Sequence, residues 1–134
     1  MKARFMMDTD TCIYLKNRRP PAIAEQFRRL QWGEVVMSVI TFGELYNGAL
    51  KSREAEAALN NIKRLGERLP VQLLSVEVAK AYGNIRSVLE KQGNIIGGND
   101  LWIAAHALTL GLTVITNNTK EFSRIDGLYI ENWV

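Results

Sequence analysis

The chain has 134 residues, of which 47% are hydrophobic and 23% charged, and its formal net charge is +3. This length suits one domain with its own core, and we expect a single domain over residues 1–134. No apolar run reaches the roughly 18 residues that span a bilayer, and the run ending at Asp8 is too short for a signal peptide. A single cysteine cannot form an internal disulfide. We therefore expect a cytoplasmic protein.

The hydrophobic pattern predicts strands that alternate with helices. Short apolar runs predict strands at Arg4–Met7, Val35–Met37, Val71–Leu74, Thr113–Thr116 and Tyr129–Glu131. Helical periodicity, capping residues and prolines predict helices over Thr11–Lys16, Pro20–Leu30, Thr41–Lys51, Glu54–Leu69, Ser75–Gln92 and Asn99–Leu110. Such alternation predicts an α/β fold in which helices cover both faces of a central parallel sheet.

Acidic and amide side chains collect at the predicted carboxyl ends of the strands, where folds of this class bind their ligands. The residues are Asp8 and Asp10 after the first strand, Glu44 in the helix after the second, Asp100 near the start of the last long helix, and Asn118 with Glu121 after the fourth strand. Carboxylates held close together cannot all stay ionised unless a cation neutralises them. Oxygen ligands of this kind suit Mg²⁺ or Mn²⁺, so the pattern predicts a divalent metal site.

Several of these residues also have a structural explanation. Thr41 and Glu44 have the spacing of a capping box, in which Glu44 only satisfies a backbone donor in the first helical turn. Asp100 is equally compatible with a carboxylate that is stabilised by the helix dipole. The other candidate caps are Asp10, Asn99 and Asn118.

Other residues carry weaker functional signals. His106 is the only histidine and lies in an apolar helix, so we interpret it as buried, and Cys12 as a small hydrophobe. Without further histidines or cysteines a zinc site is not supported. Three basic clusters, interpreted as solvated helix faces, are Lys16/Arg18/Arg19, Arg28/Arg29 and Lys63/Arg64/Arg68.

Five segments of the chain together resemble the VapC-type PIN-domain toxins of type II toxin–antitoxin systems. They are Phe5–Thr11 (FMMDTDT), Ser38–Leu45 (SVITFGEL), Asn99–Ala107 (NDLWIAAHA), Thr116–Phe122 (TNNTKEF) and Gly127–Trp133 (GLYIENW). An isolated D-x-D would carry little weight, but these segments occur in the family's order and extend over nearly the whole chain.

This resemblance implies a PIN-like fold and a Mg²⁺- or Mn²⁺-dependent endoribonuclease, in which a metal-activated water attacks the phosphodiester. Matched by position, Asp8, Glu44 and Asp100 would be the catalytic and metal-binding acids, and Asn118 would take the fourth catalytic place. It also implies a homodimer, inhibition by a cognate antitoxin, and an RNA substrate, for which a structured RNA such as tRNA is a candidate.

Two positions depart from the family's pattern, and two other functions stay open. Asp10 stands where such toxins commonly have asparagine, and Asn118 where many other PIN nucleases have aspartate, so we predict one metal ion and leave a second open. One alternative is a haloacid-dehalogenase-like phosphatase with Asp8 as nucleophile and Asp10 as acid/base. That family also needs a downstream lysine and a second acidic pair at another strand end, where this chain has Asn117 and Asn118. The other is a catalytically inert PIN binding module.

Overall fold

A computed structural model describes residues 2–134 of the chain. In chain order its elements are β1 (Phe5–Met7), α1 (Thr9–Asn17), α2 (Pro21–Arg28), β2 (Val35–Ser38), α3 (Val39–Leu50), α4 (Ala55–Arg68), β3 (Val71–Gln72), α5 (Val76–Lys91), α6 (Gly98–Leu110), β4 (Thr113–Ile115), α7 (Thr119–Phe122) and β5 (Ile130–Glu131). Within this part of the chain no helix is long and apolar enough to cross a membrane.

The five strands form one parallel sheet in the order β3-β2-β1-β4-β5. Strand β1 is central, and Phe5 pairs with Val35 of β2 on one side and with Thr113 of β4 on the other. Because all strands run in the same direction, the segments that follow β1, β2 and β4 leave the sheet at one edge. The predicted α/β fold with a parallel sheet is confirmed.

Alternate residues of the central strands divide the core into two layers, as the two-residue period of a strand requires. Phe5 and Met7 of β1 pack with residues of α1, α2, α3 and α4, whereas Met6 packs with residues of α5 and α6. All three side chains of β1 are buried. Helices therefore cover both faces, and a strand buried on both sides explains why β1 is continuously apolar.

Three helices begin earlier than the sequence pattern predicts, and this changes the capping assignments. Helix α1 begins at Thr9, so its N-cap is Asp8 and not Asp10. Helix α3 begins at Val39 with Ser38 as its cap, so the Thr41–Glu44 capping box is not formed. The apolar helix α6 begins at Gly98, which places Asn99 inside its first turn. Each predicted cap lies inside its helix because hydrophobic periodicity reports the buried face better than it reports the first turn.

Candidate active site

Asp8 lies at the carboxyl end of the central strand, where the chain passes directly into α1. Its Oδ1 accepts a hydrogen bond of 2.9 Å from the Thr11 amide, and its side chain is the N-cap of α1. The residue is only 3% exposed, and burial raises the pKa of its carboxyl against the lowering effect of hydrogen bonds from Thr11 and Thr116. Asp8 therefore combines a structural cap with a buried negative charge at the sheet edge.

Glu44 is held at the same edge by a hydroxyl from the neighbouring helix. It lies in the second turn of α3, not in the first turn as the sequence analysis expected. The Thr9 hydroxyl donates to Glu44 Oε1 over 2.5 Å and also lies 3.2 Å from Thr41 Oγ1. Since Thr9 directly follows Asp8, these contacts fix the second carboxylate beside the first.

Asp100 is positioned by an amide that contacts two carboxylates. It lies in the first turn of α6, and Asn118 Nδ2 donates to Asp100 Oδ2 over 3.4 Å. The same amide nitrogen donates to Glu121 Oε2 of α7. Asn118 is at the N-cap position of α7, as the sequence suggested, but its side chain makes no capping hydrogen bond. Its side chain instead connects α6 and α7 across the site.

The placement of these carboxylates near one another disfavours the ionised form of Asp100. Burial is the largest cause, and together with the charges of Asp8, Glu121, Glu44 and Asp10, in that order, it raises the pKa of Asp100 to about 6. Among these charges, Asp8 has the largest influence. The fold thus brings the four predicted site residues to one place, with Glu121 beside them and Asp10 at the exposed rim.

The donor chemistry of this site fits a hard divalent cation that keeps several of its waters. Within residues 2–134, no three His, Cys, Asp or Glu side chains are grouped tightly enough to enclose an ion directly. Mg²⁺ is usually bound by one or two carboxylates together with water and substrate phosphate, and so does not require a closed cage. A cation between the carboxylates would also offset the burial and the repulsion that together raise the pKa of Asp100.

Sequence reasoning assigned no role to Thr9 or Ser38. No local pattern could have paired Thr9 with Glu44, because the two residues are 35 positions apart. Ser38 caps α3 through the Ile40 amide, and its hydroxyl lies 2.9 Å from Nδ1 of the buried His106. His106 thereby links α6 to the start of α3, and burial lowers the pKa of its ring. The predicted burial of His106 and Cys12 is confirmed.

A parallel sheet with converging acids at one edge is the arrangement of a PIN-domain nuclease, and the PIN domain family model matches residues 5–128. "Ribonuclease VapC1" of Haemophilus influenzae (strain R2866) is 43% identical over 130 residues, which cover 96% of this chain and 97% of that protein. The "tRNA(fMet)-specific endonuclease VapC" of Shigella flexneri is 38% identical, with 97% and 98% covered.

Among solved structures, DNA-bound VapBC from Salmonella typhimurium contains a chain that superposes with a TM-score of 0.93 at 39% identity, covering 98% of this chain and 99% of that one. The chain therefore belongs to the PIN-domain family and, within it, to the VapC ribonucleases. This assignment confirms the resemblance drawn from the five sequence segments, and it removes the basis for the phosphatase alternative.

Proposed function

We propose that the protein is the toxin of a toxin–antitoxin pair and that it hydrolyses RNA phosphodiester bonds at the acidic edge of its sheet. The observation that carries this proposal is the convergence of Asp8, Glu44 and Asp100, from three distant segments, on one edge with raised pKa values for Asp8 and Asp100. Relatives are named as ribonucleases, and two of them as endonucleases specific for tRNA(fMet), so tRNA is the first substrate to test.

In this proposal Asp8, Glu44 and Asp100 would hold one Mg²⁺, or Mn²⁺ in its place, partly through waters that the ion keeps, with Asn118 as the fourth member of the site. Bound there, the ion would supply Lewis acidity toward the phosphodiester and a water of lowered pKa. Asp100 orients the attacking water, since one of its oxygens is held by Asn118 and the other is not. Asp8 is fixed by the Thr11 amide and Glu44 by the Thr9 hydroxyl, so neither carboxylate needs to reorganise during the reaction.

Attack by water predicts which ends the products carry. Cleavage leaves a 5′-phosphate and a 3′-hydroxyl, because the 2′-hydroxyl of the RNA takes no part. A 2′,3′-cyclic phosphate in a metal-dependent reaction would contradict the proposed mechanism.

The toxin binds a cognate antitoxin, and it acts in the cytoplasm, where its RNA substrate is found. Several structural neighbours are described as VapBC or toxin–antitoxin complexes, which supports this pairing. The homodimer expected from the resemblance stays a prediction, as do the single domain and the number of metal ions.

Inducible expression in a bacterium, followed by sequencing of RNA 5′ ends, tests the proposal. We expect wild-type protein to arrest growth and to produce discrete new 5′ ends, and the Asp100→Asn variant to do neither at equal protein levels. Co-expression of the antitoxin should restore growth. If Asp100→Asn were as toxic as the wild type, the site assignment would be wrong, and if neither protein produced new ends, the inert binding module would be the better description.

A further inference from the structure

The three basic clusters of the sequence contribute to one concave surface at the ends of α1, α2 and α4. Two adjoining concavities of about 360 and 240 Å³ share Arg18 and Arg68 in their linings. The cations that line them are Lys16, Arg18, Arg28, Arg64 and Arg68, and we call this surface the basic groove. Over residues 2–134, no carboxylate lines either concavity, and none of these five cations takes part in an ion pair.

Helix dipoles do not account for this much positive charge. Lys16, Arg28 and Arg68 lie in the last turns of α1, α2 and α4, where a cation favourably meets the negative end of the helix. Three helix ends amount to roughly −1.5 elementary charges, at about half a charge each. The five cations therefore leave a surplus of about +3.5 on the groove after this compensation.

The basic groove lies at the opposite edge of the sheet from the acidic site, which is formed by Asp8, Glu44 and Asp100. Helix α1 begins beside Asp8 and ends at Asn17, and its nine residues extend over about 13 Å. Helix α4 ends at Arg68, just before β3 begins at Val71, so its last turn is next to the amino end of a parallel strand. A ligand in the groove cannot therefore be a ligand of the acidic site, but a large folded RNA can reach both.

The lining of the groove favours a phosphate backbone over a protein segment. A helix or peptide needs exposed apolar anchors to dock, whereas Leu15 and Leu65 in this lining are only 2% and 3% exposed. The exposed Trp32 lines a separate concavity, which shares only Arg28 and Arg68 with the basic groove. The amides of Asn17 and Asn61 add neutral hydrogen-bonding groups, and Arg64 already donates to Asn61. Arginines and amides with no acid in the lining form the composition that binds phosphates without reading base sequence.

We propose that the basic groove binds the phosphate backbone of the RNA substrate at a distance from the bond that is cleaved. This inference rests on the proposed ribonuclease function and adds to it a second contact region. The groove would then supply affinity through the release of counterions, while the acidic edge supplies the chemistry.

A pair of matched double variants tests the groove. Lys16→Gln/Arg64→Gln removes one groove cation from the last turn of α1 and one from α4. The control, Lys63→Gln/Lys91→Gln, removes one cation from α4 and one from the last turn of α5, neither of which lines the groove. Binding of bulk bacterial tRNA is measured against salt concentration in an Asp100→Asn background, which keeps the RNA intact. Cleavage of a short oligonucleotide that contains a mapped cleavage site is measured with Asp100 intact.

We expect the groove variant to bind tRNA roughly tenfold more weakly. The slope of log affinity against log salt concentration should decrease in magnitude by about 1.5, because each of the two lost phosphate contacts removes about 0.7–0.9. The control should change little, and short-oligonucleotide cleavage should be unchanged in both.

Equal losses in the two double variants, or no loss in either, would overturn the inference. Loss of antitoxin binding with tRNA binding intact would also overturn it, by showing that the groove receives a protein. If even the wild type neither binds nor cleaves RNA, the failure lies in the proposed function itself.

Discussion

The two ends of helix α1 differ in charge and in the way the charge is held. At its start, Asp8 is buried and hydrogen-bonded, and Glu44 and Asp100 lie beside it with their own fixed donors. At its end, Lys16 and the other cations of the basic groove are exposed and have no acidic partner in the described part of the chain. The start of α1 therefore presents carboxylates held in fixed positions, whereas its end presents exposed positive charge.

This difference follows from what each region has to recognise. Chemistry at a single phosphorus atom needs groups fixed to within a fraction of an ångström, which buried hydrogen-bonded carboxylates provide. Attraction of a long polyanion needs only net charge, which flexible exposed cations provide. Because an exposed ion pair contributes little to stability, keeping the acids and the bases apart costs the fold little. Segregation of charge leaves both sets free for ligands of opposite sign.

The largest expected effect comes from neutralising one carboxylate at the acidic edge. Asp8→Asn should lower the rate of RNA cleavage at least about a hundredfold, the scale observed when one preorganised electrostatic group is removed. Asparagine is as good an N-cap as aspartate, so the helix start and the melting temperature should be preserved. Cleavage kinetics together with thermal unfolding measure the two effects separately.

The matched control for this change is Asp126→Asn, which removes an exposed carboxylate far along the chain. It should cleave at the wild-type rate. Binding of tRNA by Asp8→Asn should keep the wild-type salt slope, because the basic groove is intact. A common loss of binding and cleavage in Asp8→Asn would mean that the two regions do not act separately.

A smaller effect is expected when a charge is added to the acidic edge. In Asn118→Asp, a carboxylate replaces the amide that now donates to Asp100 and Glu121, so two hydrogen bonds become repulsions. We expect destabilisation of about 1–3 kcal/mol without metal, which for a chain of this size is a fall in melting temperature of several degrees. Mg²⁺ should raise the melting temperature of this variant more than that of the wild type.

The neighbouring change Asn117→Asp serves as the control for position. Asn117 is exposed, and its side-chain oxygen Oδ1 accepts a hydrogen bond from Asn132 Nδ2, a role that a carboxylate retains. This variant should lose little stability and gain no additional response to Mg²⁺. Equal responses of the two variants would show that Asn118 does not belong to the metal site.

The sequence was sufficient for the sheet and for the convergence of the acids, and the reason is physical. Continuous apolar runs such as Phe5–Met7 mark strands buried on both faces, and parallel strands necessarily bring their carboxyl ends to one edge. Residues that directly follow those strands, such as Asp8, could therefore be placed without coordinates.

Contacts between distant segments were beyond sequence reasoning. The hydroxyl of Thr9 meets Glu44, and Asn118 bridges Asp100 and Glu121, through geometry set by how the helices pack on the sheet. The same limit applied to the basic clusters, which the sequence indicates only as separate exposed helix faces. Their union in one groove depends on three helix ends meeting in space.

The smallest expected effect is a pH dependence of stability that originates at Asp100. Its pKa is about 6 in the folded protein, against an ordinary value of 3.8, so between these values the folded state binds more protons than the unfolded state. Stability from this group is therefore gained as the pH falls through 6, and is lost again as the pH rises above it.

In metal-free buffer, the melting temperature of the wild type should rise relative to that of Asp100→Asn as the pH is lowered from 8 to 5. Since Asp100 is only partly buried, solvent screening limits the change to a few degrees at most. Mg²⁺ should flatten the difference, because a bound cation favours the ionised carboxylate, whereas Asp126→Asn should show no such trend in either buffer. A difference curve that is flat without metal, or that slopes the other way, would mean that burial and the neighbouring carboxylates do not disfavour the charge of Asp100 as its placement requires.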